Sequence, residues 1–314
     1  MLLRPPPAPP NFPWHVFPLN VEWAIAYGSS FFSQCPRSLQ SAPAGMPLSA
    51  CAPVPGHCPK TGRPLSSSAV NCPSSAQPLS PSCRDYLLLV PAAGVQAFHR
   101  ENLRTQPHHY SWPFRLAGAE AVARYQRLGQ GVEVFYNTLV RLPPDGQLAK
   151  YGVAAVEDIQ NELTDWTSLF FSGRLHKPVH FFSSKGLQVT EAPFWHHLQA
   201  NRLSALRAAI LLQAKSVFPF KDLLHAICGL SYTGDIRMAF VENPRKLSNL
   251  VSGQTVQLFS LYYPLLARIP ELRLLTQTSS EQLTAVCRMW HPDGPDAVSA
   301  GLLEVDTSVL KFRP

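Results

Sequence analysis

Charged residues and long apolar runs are both scarce in this chain of 314 residues. Charged side chains make up 15% of the sequence, and between Glu22 and Asp85 there is no acidic residue. No run of about 18 apolar residues occurs, so no membrane-spanning helix is predicted. The opening "MLLRPPPAPPNFPW" has no apolar signal core and many prolines. Secretion is therefore not predicted, and a mitochondrial presequence is only weakly indicated.

A disulfide framework is not predicted either, although the chain has seven cysteines. Five of them fall in one stretch rich in proline and serine, and only Cys228 and Cys287 lie in foldable sequence. Cys51 and Cys58 are separated by six residues in "CAPVPGHC". A second close pair of ligands, which a structural zinc site needs, is missing there, so zinc is not predicted.

The chain does have apolar side chains and positive charge. Hydrophobic residues make up 46% of the sequence, enough for one large or two medium domains with a packed core. The formal net charge is +7 and the sequence pI is about 9.1. This balance favours anionic partners such as nucleotides, phosphates, nucleic acid or an acidic membrane surface, but does not choose among them.

Residues 35–84 are predicted to form a disordered insertion. The stretch 35–83 contains ten prolines and neither an aromatic nor an acidic residue, so it cannot bury enough apolar surface to offset the entropy of ordering. We therefore predict an α+β fold with four parts. They are a β/α domain formed by 1–34 and 85–185, the insertion 35–84, a helical domain 186–275 and a divergent tail 276–314.

Hydrophobic periodicity places the main elements of these domains. Strands are predicted at "AIAY", "DYLLLV", "GVEVFYNTLVRL", "QLAKYGVAA" and "KPVHFF", with "PPDG" as a hairpin turn. Helices are predicted at "GVQAFHRENLRT", "AGAEAVARYQRLG", "APFWHHLQANRLSALRAAILLQA", "PFKDLLHAICGL" and "TVQLFSLYYPLLARI". The segment "VEDIQNELTDWTSLFFSG" is predicted to be a single helix, with acidic residues at its N-terminal end as the helix dipole favours.

A strand that ends in Gly-Ser, followed by a helix and then by a strand that carries a carboxylate, is typical of nucleotidyltransferases. Gly28 would let the backbone approach a triphosphate, and backbone N–H groups with a Ser hydroxyl would bind its oxygens. Asp85, on the next predicted strand, would bind Mg²⁺. A Gly-Ser turn is common, however, and an ordinary turn between two elements remains the alternative.

Two further clusters carry charge beside glycine. In "GLSYTGDIRM", Arg237 could pair with phosphate while Asp235 orients it, or the two could form an internal salt bridge. In "SGRLHKPV", Arg174 and Lys177 could neutralise phosphate charge, or simply interact with the C-terminal end of a helix.

In this order along the chain, "YGSSFFSQ", "FHRENLRTQPHHYS", "GVEVFYNTL", "KYGV", "SGRLHKPV" and "GLSYTGDIRM" resemble the mitochondrial phosphatidate cytidylyltransferase family. The resemblance covers about Asn11 to Gln34 and then Asp85 to about Leu266. It implies a nucleotidyltransferase-like domain followed by a winged-helix-like helical domain. It also implies Mg²⁺-dependent transfer of a cytidylyl group from CTP to phosphatidic acid, at the matrix face of the mitochondrial inner membrane, with peripheral attachment to that anionic surface.

The resemblance also assigns roles to residues. It implies a nucleotide-binding turn, a metal ligand, a set of basic residues that we assign to phosphate on physical grounds, and two structural or orienting residues. The nucleotide-binding turn is formed by Tyr27, Gly28, Ser29 and Ser30, and the metal ligand is Asp85. The basic residues are Lys150, Arg174, Lys177 and Arg237. The structural or orienting residues are Tyr151 and Asp235. We expect Asp85 and Lys177 to be catalytic.

The chain departs from the family pattern in several places. The insertion 35–84 replaces a shorter link, and "VPAAG" stands where relatives often have a "VDDP"-like run, which leaves Glu101 and Glu133 as candidate replacement carboxylates. The tail 276–314 stands where a further helical region and a basic segment are expected. Two alternatives therefore stay open: a relative that binds nucleotide or lipid without turnover, and a nucleotidyltransferase directed at nucleic acid. No RNA-binding module is evident, so nucleic acid is not a predicted partner.

Overall fold

The computed structural model describes residues 12–32, 83–128, 132–144, 146–213, 216–232, 245–275 and 302–305. Within these ranges the structure has eight strands and eight α-helices. The strands are β1 (Trp23–Tyr27), β2 (Arg84–Val90), β3 (Val134–Leu142), β4 (Gln147–Ala155), β5 (His180–Ser183), β6 (Val217–Pro219), β7 (Leu272–Leu275) and β8 (Leu302–Val305). The helices are α1 (Val95–Thr105), α2 (Trp112–Arg127), α3 (Val156–Asp165), α4 (Phe170–Leu175), α5 (Trp195–Leu211), α6 (Phe220–Gly229), α7 (Lys246–Gly253) and α8 (Thr255–Leu266).

A five-stranded mixed sheet lies at the centre of the first part of the fold. Its order is β3-β4-β2-β1-β5, with β2 and β4 parallel and the other pairs antiparallel. The strands β1 and β2 are buried runs with β-branched, aromatic and leucine side chains, which suit the middle of a sheet covered on both faces. Tyr27, Asp85 and Lys150 are in register across three neighbouring strands.

Helices cover both faces of this sheet, because alternate residues of each strand point to opposite sides. On one face, Tyr86, Leu88 and Val153 pack with Phe98 of α1. On the other face, Ile25, Leu87, Leu89 and Ala154 pack with apolar residues of α3, α4 and the start of α5. Asp85, Leu87 and Leu89 are alternate residues of β2, so their side chains lie on the same face of the sheet. Asp85 therefore faces α3 and α4.

The segment predicted as one helix forms two, so that prediction was wrong. The chain turns between α3 and α4, where Trp166 and Leu169 have positive φ angles of 52° and 53°. The buried carboxylate of Glu162 bonds across the turn, accepting hydrogen bonds from the backbone N–H of Ser172 at 2.6 Å and from its hydroxyl at 3.0 Å. This contact depends on the folded arrangement, so helical periodicity alone does not reveal it.

A second core lies among α5, α6, α7 and α8. Leu206, Leu223, Leu258 and Tyr262 are fully buried in it. A three-stranded sheet, ordered β6-β8-β7, adjoins the helices, and β8 comes from within 276–314. The sequence predicted helices but not this small sheet, because strands of three or four residues carry little periodic signal.

The α+β class is confirmed by the mixed sheet and the helices packed around it. The boundaries predicted for the four parts remain predictions, and most of the insertion 35–84 lies outside the described residues. No described helix has both the length and the apolar character needed to cross a bilayer.

Candidate functional site

The chain turns sharply where β1 ends. Gly28 has a φ of +89°, a left-handed conformation that favours glycine. Its carbonyl oxygen accepts hydrogen bonds from the N–H groups of Phe31 and Phe32, at 3.2 and 3.1 Å. Ser29 is exposed at the tip of this turn, whereas the hydroxyl of Ser30 is buried and has no hydrogen-bond partner among the described residues. The predicted Gly-Ser turn is therefore present, with Ser29 exposed and the Ser30 hydroxyl enclosed in the fold.

Asp85 lies directly against this turn. A Cβ added to Gly28 would be 3.0 Å from Oδ2 of Asp85, so the glycine lets the carboxylate approach the backbone. Burial raises the pKa of Asp85, and the positive charges of Lys150 and Arg174 act against that rise. The carboxylate is thus partly buried and lies in a positive field.

Lys150 is in register with Asp85, and its side chain lies on the same face of the sheet. Its Nζ is 4.5 Å from the ring centroid of Tyr136, close enough for a cation–π contact. The Tyr136 hydroxyl is 3.0 Å from the hydroxyl of Tyr27. Gly152 makes room for this ring, because a Cβ there would lie 2.8 Å from a Tyr136 ring carbon. Tyr136 therefore links the residue before Gly28 to Lys150.

Arg174 reaches the same face from α4. Its guanidinium carbon is 3.7 Å from the ring centroid of Phe170 and 5.6 Å from that of Tyr27. One Nη1–H donates to the carbonyl oxygen of Phe170 at 2.6 Å. The ring contacts and this hydrogen bond fix the guanidinium on the same side of the sheet as Asp85.

Lys177 connects α4 to the loop that follows α6. Its ammonium donates to the carbonyl oxygen of Gly173 and to the hydroxyl of Ser231, both at 2.6 Å. It also lies 4.9 Å from the ring centroid of Tyr232. Burial lowers the pKa of Lys177 to about 8, and the positive charges of Arg174 and Lys246 add to that effect. The structure therefore brings "SGRLHKPV" into contact with the start of "GLSYTGDIRM".

Two predicted site residues, Asp235 and Arg237, lie outside the described residues. Tyr151 is described, but strand alternation places its side chain on the face opposite Lys150. Its hydroxyl accepts a hydrogen bond from Nδ2 of Asn102 and lies within 2.8 Å of Nδ1 of His109. Tyr151 thus lies in a buried polar network behind the sheet, and its predicted orienting role stays a prediction.

The two candidate replacement carboxylates do not join Asp85. Glu101 lies on α1, which covers the opposite face, and it forms an exposed ion pair with Arg104. Glu133 precedes β3 at the end of the sheet where Val134 pairs with Ala154, about 13 Å along β4 from Lys150. Within the described ranges, no three His, Cys, Asp or Glu residues are grouped so that they could hold a metal ion.

Sequence reasoning missed Tyr136, Ser231 and Lys246. A tyrosine in an alternating strand usually contributes only packing, so its contacts with Tyr27 and Lys150 become evident only from the strand order. Lys246 lies 5.7 Å from the ring centroid of Tyr232, on the first turn of α7. The alternation of side chains along β4 was a usable signal, because it separates Lys150 from Tyr151.

A glycine turn, a partly buried carboxylate and cations held on one face of a sheet form an arrangement that suits a phosphate-bearing ligand. The family model for mitochondrial phosphatidate cytidylyltransferase matches residues 13–300. The chain therefore belongs to that family.

Individual relatives agree with this assignment. The chain is 44% identical over 178 residues to the mitochondrial phosphatidate cytidylyltransferase of Drosophila melanogaster, covering 56% of this chain and 50% of the relative. It is 34% identical over 197 residues to the protein of the same name from Caenorhabditis elegans, and the match covers 63% of this chain and 58% of the relative. It is 36% identical over 190 residues to the protein of the same name from Schizosaccharomyces pombe, and the match covers 60% of this chain and 45% of the relative. The matched part of the chain spans about half the length of these curated relatives.

Proposed function

We propose that this chain transfers a cytidylyl group from CTP to phosphatidic acid, giving CDP-diacylglycerol and pyrophosphate for phosphatidylglycerol and cardiolipin synthesis. Family membership and the named activity of the relatives support the choice of substrates. The observation that carries the proposal is the position of Asp85, which lies against the Gly28 turn with Lys150 and Arg174 on the same face. In the proposed architecture, a nucleotidyltransferase-like domain is followed by a winged-helix-like domain.

The residues present fit a divalent ion such as Mg²⁺ if the nucleotide supplies most of its ligands. Mg²⁺ is commonly held by one or two carboxylates together with substrate phosphates and water. Asp85 provides one carboxylate beside the Gly28 turn, where Ser29 is exposed. When bound, the ion would supply positive charge that offsets the developing charge on the phosphates. Asp85 is the residue that would hold it.

The proposed reaction needs positioning more than it needs a strong base. An oxygen of the phosphatidate phosphate forms a bond to the α-phosphorus of CTP while the bond to the oxygen bridging to the β-phosphate breaks. Pyrophosphate leaves with that electron pair. The attacking oxygen is already anionic, so orientation and charge neutralisation dominate the rate.

The chain's cations would perform that neutralisation. Lys150 and Arg174 are fixed by aromatic rings, and Lys177 is fixed by two hydrogen bonds, so little side-chain entropy is lost when phosphate binds. With a pKa near 8, Lys177 is mostly charged at neutral pH and loses its charge in mildly alkaline solution. Arg237, which lies outside the described residues, completes the proposed phosphate-binding set.

The proposed location is the matrix side of the mitochondrial inner membrane, with peripheral attachment. The names of the relatives include the mitochondrion. The net charge of +7 suits an anionic lipid surface from which phosphatidic acid would be drawn.

Release of pyrophosphate tests this function directly. Purified full chain would be mixed with CTP, Mg²⁺ and phosphatidylcholine vesicles with or without phosphatidic acid. We expect lipid-dependent release that falls at least about a hundredfold in Asp85→Asn, which keeps the shape of the side chain but removes its charge. Asp222→Asn, at an exposed position on α6, is the matched control and should retain activity.

The outcomes separate the alternatives. A folded wild-type chain that binds CTP but releases no pyrophosphate would be a family member that binds without turnover. Release that depends on RNA instead of phosphatidic acid would indicate a nucleotidyltransferase directed at nucleic acid. Either result would overturn the proposal.

A further inference from the structure

The first half of α2 exposes apolar side chains that the folded core does not use. Trp112 and Leu116 retain 71% and 79% of their exposure, and they lie four residues apart on one side of the helix. Together with Leu103, Pro107 and Arg115 they line an open groove of about 500 Å³. We call these five residues the α2 patch.

This exposure is concentrated on α2, whose helical geometry is broken at Gly118 (φ 81°, ψ 172°). Of the ten large hydrophobic side chains exposed in the described part of the chain, four belong to α2 or to the residue that follows it. The other two are Tyr125 and Leu128, at 58% and 78% exposure. Most monomeric proteins show no large contiguous apolar patch, and an exposed patch of this kind is typical of an interaction surface.

The charges near these apolar groups favour an anionic partner. Arg115 is exposed before the break at Gly118, and Arg124, Arg127 and the acidic Glu120 are exposed after it. Within the described residues, none of the three arginines takes part in an ion pair. Arginine can extend its charged end toward phosphate groups while its aliphatic part covers apolar surface.

Trp112 lies at the first position of the helix, and Pro113 follows it. Tryptophan is enriched where a protein meets the boundary between lipid headgroups and acyl chains, because its ring is apolar and its N–H is polar. Trp112, Arg115 and Leu116 lie on the short helical segment before Gly118 and combine apolar and cationic side chains, as segments that bind at a membrane surface do.

The α2 patch lies on the side of the sheet opposite Asp85 and Lys150, where α1 also packs. Three residues before Trp112, the ring of His109 is within 2.8 Å of the hydroxyl of Tyr151, the neighbour of Lys150 in β4. Contact at this surface would therefore bring the protein to the bilayer with the sheet between the α2 patch and Asp85.

From this geometry we infer that the α2 patch is the surface by which the protein docks onto an anionic phospholipid bilayer, with Trp112 and Leu116 inserted among the lipids and Arg115 on headgroup phosphates. The inference rests on the proposed function, because it names a surface that would concentrate the protein on the bilayer that holds the lipid substrate.

Vesicles that carry no substrate test the docking separately from the chemistry. Binding of the full chain is measured by flotation with vesicles of phosphatidylcholine alone and of phosphatidylcholine with 30 mol% phosphatidylglycerol. We expect binding to the phosphatidylglycerol vesicles, reduced at least about tenfold in the double variant Trp112→Ser/Leu116→Ser. The matched control Leu19→Ser/Leu212→Ser removes two exposed leucines elsewhere and should bind within about twofold of wild type. Arg115→Glu should also weaken binding.

Fluorescence locates the contact. Brominated phosphatidylcholine in the same vesicles should quench part of the tryptophan emission of the wild-type chain, and Trp112→Phe should still bind but lose that quenching. Wild-type chain that fails to bind the anionic vesicles, or a double variant that binds them as wild type does, would overturn the inference. A double variant that converts a dimer into a monomer in light scattering, with vesicle binding unchanged, would assign the patch to a second copy instead.

A soluble substrate separates this inference from the proposed function. With a short-chain phosphatidic acid below its micelle-forming concentration, the double variant should release pyrophosphate at the wild-type rate while losing turnover on vesicles. Failure of the wild-type chain on both substrates would contradict the proposed function but leave the vesicle-binding result intact. Equal loss on both substrates in the double variant would contradict a docking role.

Discussion

At the scale of single residues, the contact between Gly28 and Asp85 links backbone conformation to chemistry. The positive φ of Gly28 and the short distance to the Asp85 carboxylate are separate constraints. A larger side chain would strain the backbone and would also push the carboxylate away from the turn. Two different glycines allow these effects to be measured separately.

Gly28→Ala should abolish most of the CTP-dependent activity and lower the free energy of unfolding by about 1–2 kcal/mol. The matched control is Gly146→Ala, since Gly146 also has a positive φ, of +66°, but a Cβ there would meet no atom within 4 Å. Denaturant unfolding and CTP titration of both variants check the prediction. We expect both variants to lose similar stability, and only Gly28→Ala to lose activity. Equal activity losses in the two variants would argue against a specific role for the Asp85 contact.

The ionisation of Asp158 should affect the free energy of unfolding. Burial first, and then the nearby charges of Glu133 and Glu157, raise its pKa from 3.8 to about 6. Between these two pH values the folded state binds more protons than the unfolded state, so stability falls as the pH rises through about 6. The ionised form of Asp158 therefore destabilises the folded state.

Asp158→Asn should therefore stabilise the protein at pH 8 relative to wild type, and the advantage should shrink toward pH 5. Urea unfolding at both pH values measures the difference. Asp222→Asn, at an exposed carboxylate on α6, serves as the control and should show no comparable change between the two pH values. An advantage for Asp158→Asn that does not depend on pH would contradict the assignment of the raised pKa to this residue.

At the scale of elements, the turn between α3 and α4 positions Arg174 and Lys177. The buried Glu162 carboxylate binds Ser172 on the first half of α4, and this fixes the orientation of the short helix that carries Arg174. A helix of six residues has little stability of its own and depends on such tertiary contacts.

Glu162→Ala should lower the free energy of unfolding by about 2–3 kcal/mol, because it leaves buried hydrogen-bond donors of Ser172 without an acceptor. Glu120→Ala, at an exposed position on α2, should change it by less than about 0.5 kcal/mol. Thermal and denaturant unfolding provide the measurement. A Glu162→Ala variant as stable as wild type would show that α4 is held mainly by its apolar contacts.

Much of the element pattern could be predicted from the sequence, for physical reasons that can be named. The strands β3 and β4 and their turn follow from alternating Val, Phe and Tyr around "PPDG". The long helix α5 is rich in Ala, Leu and Arg, which favour helices, although its buried face includes Asn201 and Arg202. The break at Trp166 and Leu169 could not be predicted, because left-handed conformations at such residues are imposed by tertiary contacts. Similarly, Tyr136 joins the site only because β3 lies beside β4, which a single strand pattern does not specify.

At the scale of the whole molecule, the long connection between β1 and β2 has a simple geometric basis. Tyr27 and Asp85 are direct antiparallel neighbours, so the two ends of the connection meet whatever its length. The entropy of closing a loop grows only with the logarithm of its length. Fifty or so extra residues are therefore compatible with an intact sheet.

Replacing residues 35–82 by a linker of six Gly and Ser residues should leave the protein folded. The free energy of unfolding should rise by about 1 kcal/mol, because the shorter loop loses less entropy on closure. Circular dichroism and urea unfolding check the fold, and CTP titration checks the site. Loss of folding would show that residues 35–82 supply contacts that the sheet requires.

The same register has a consequence for how the protein could be assembled. β1 is an interior strand that lies between β2 and β5. A peptide with residues 1–34 would therefore contain β1 alone, and a separate polypeptide starting at Cys83 would contain the other four strands of this sheet. Mixed together, they should combine by insertion of the peptide as the missing strand, and the Gly28 turn would then arrive on a different molecule from Asp85. The covalent link between the two halves would be dispensable for building the site.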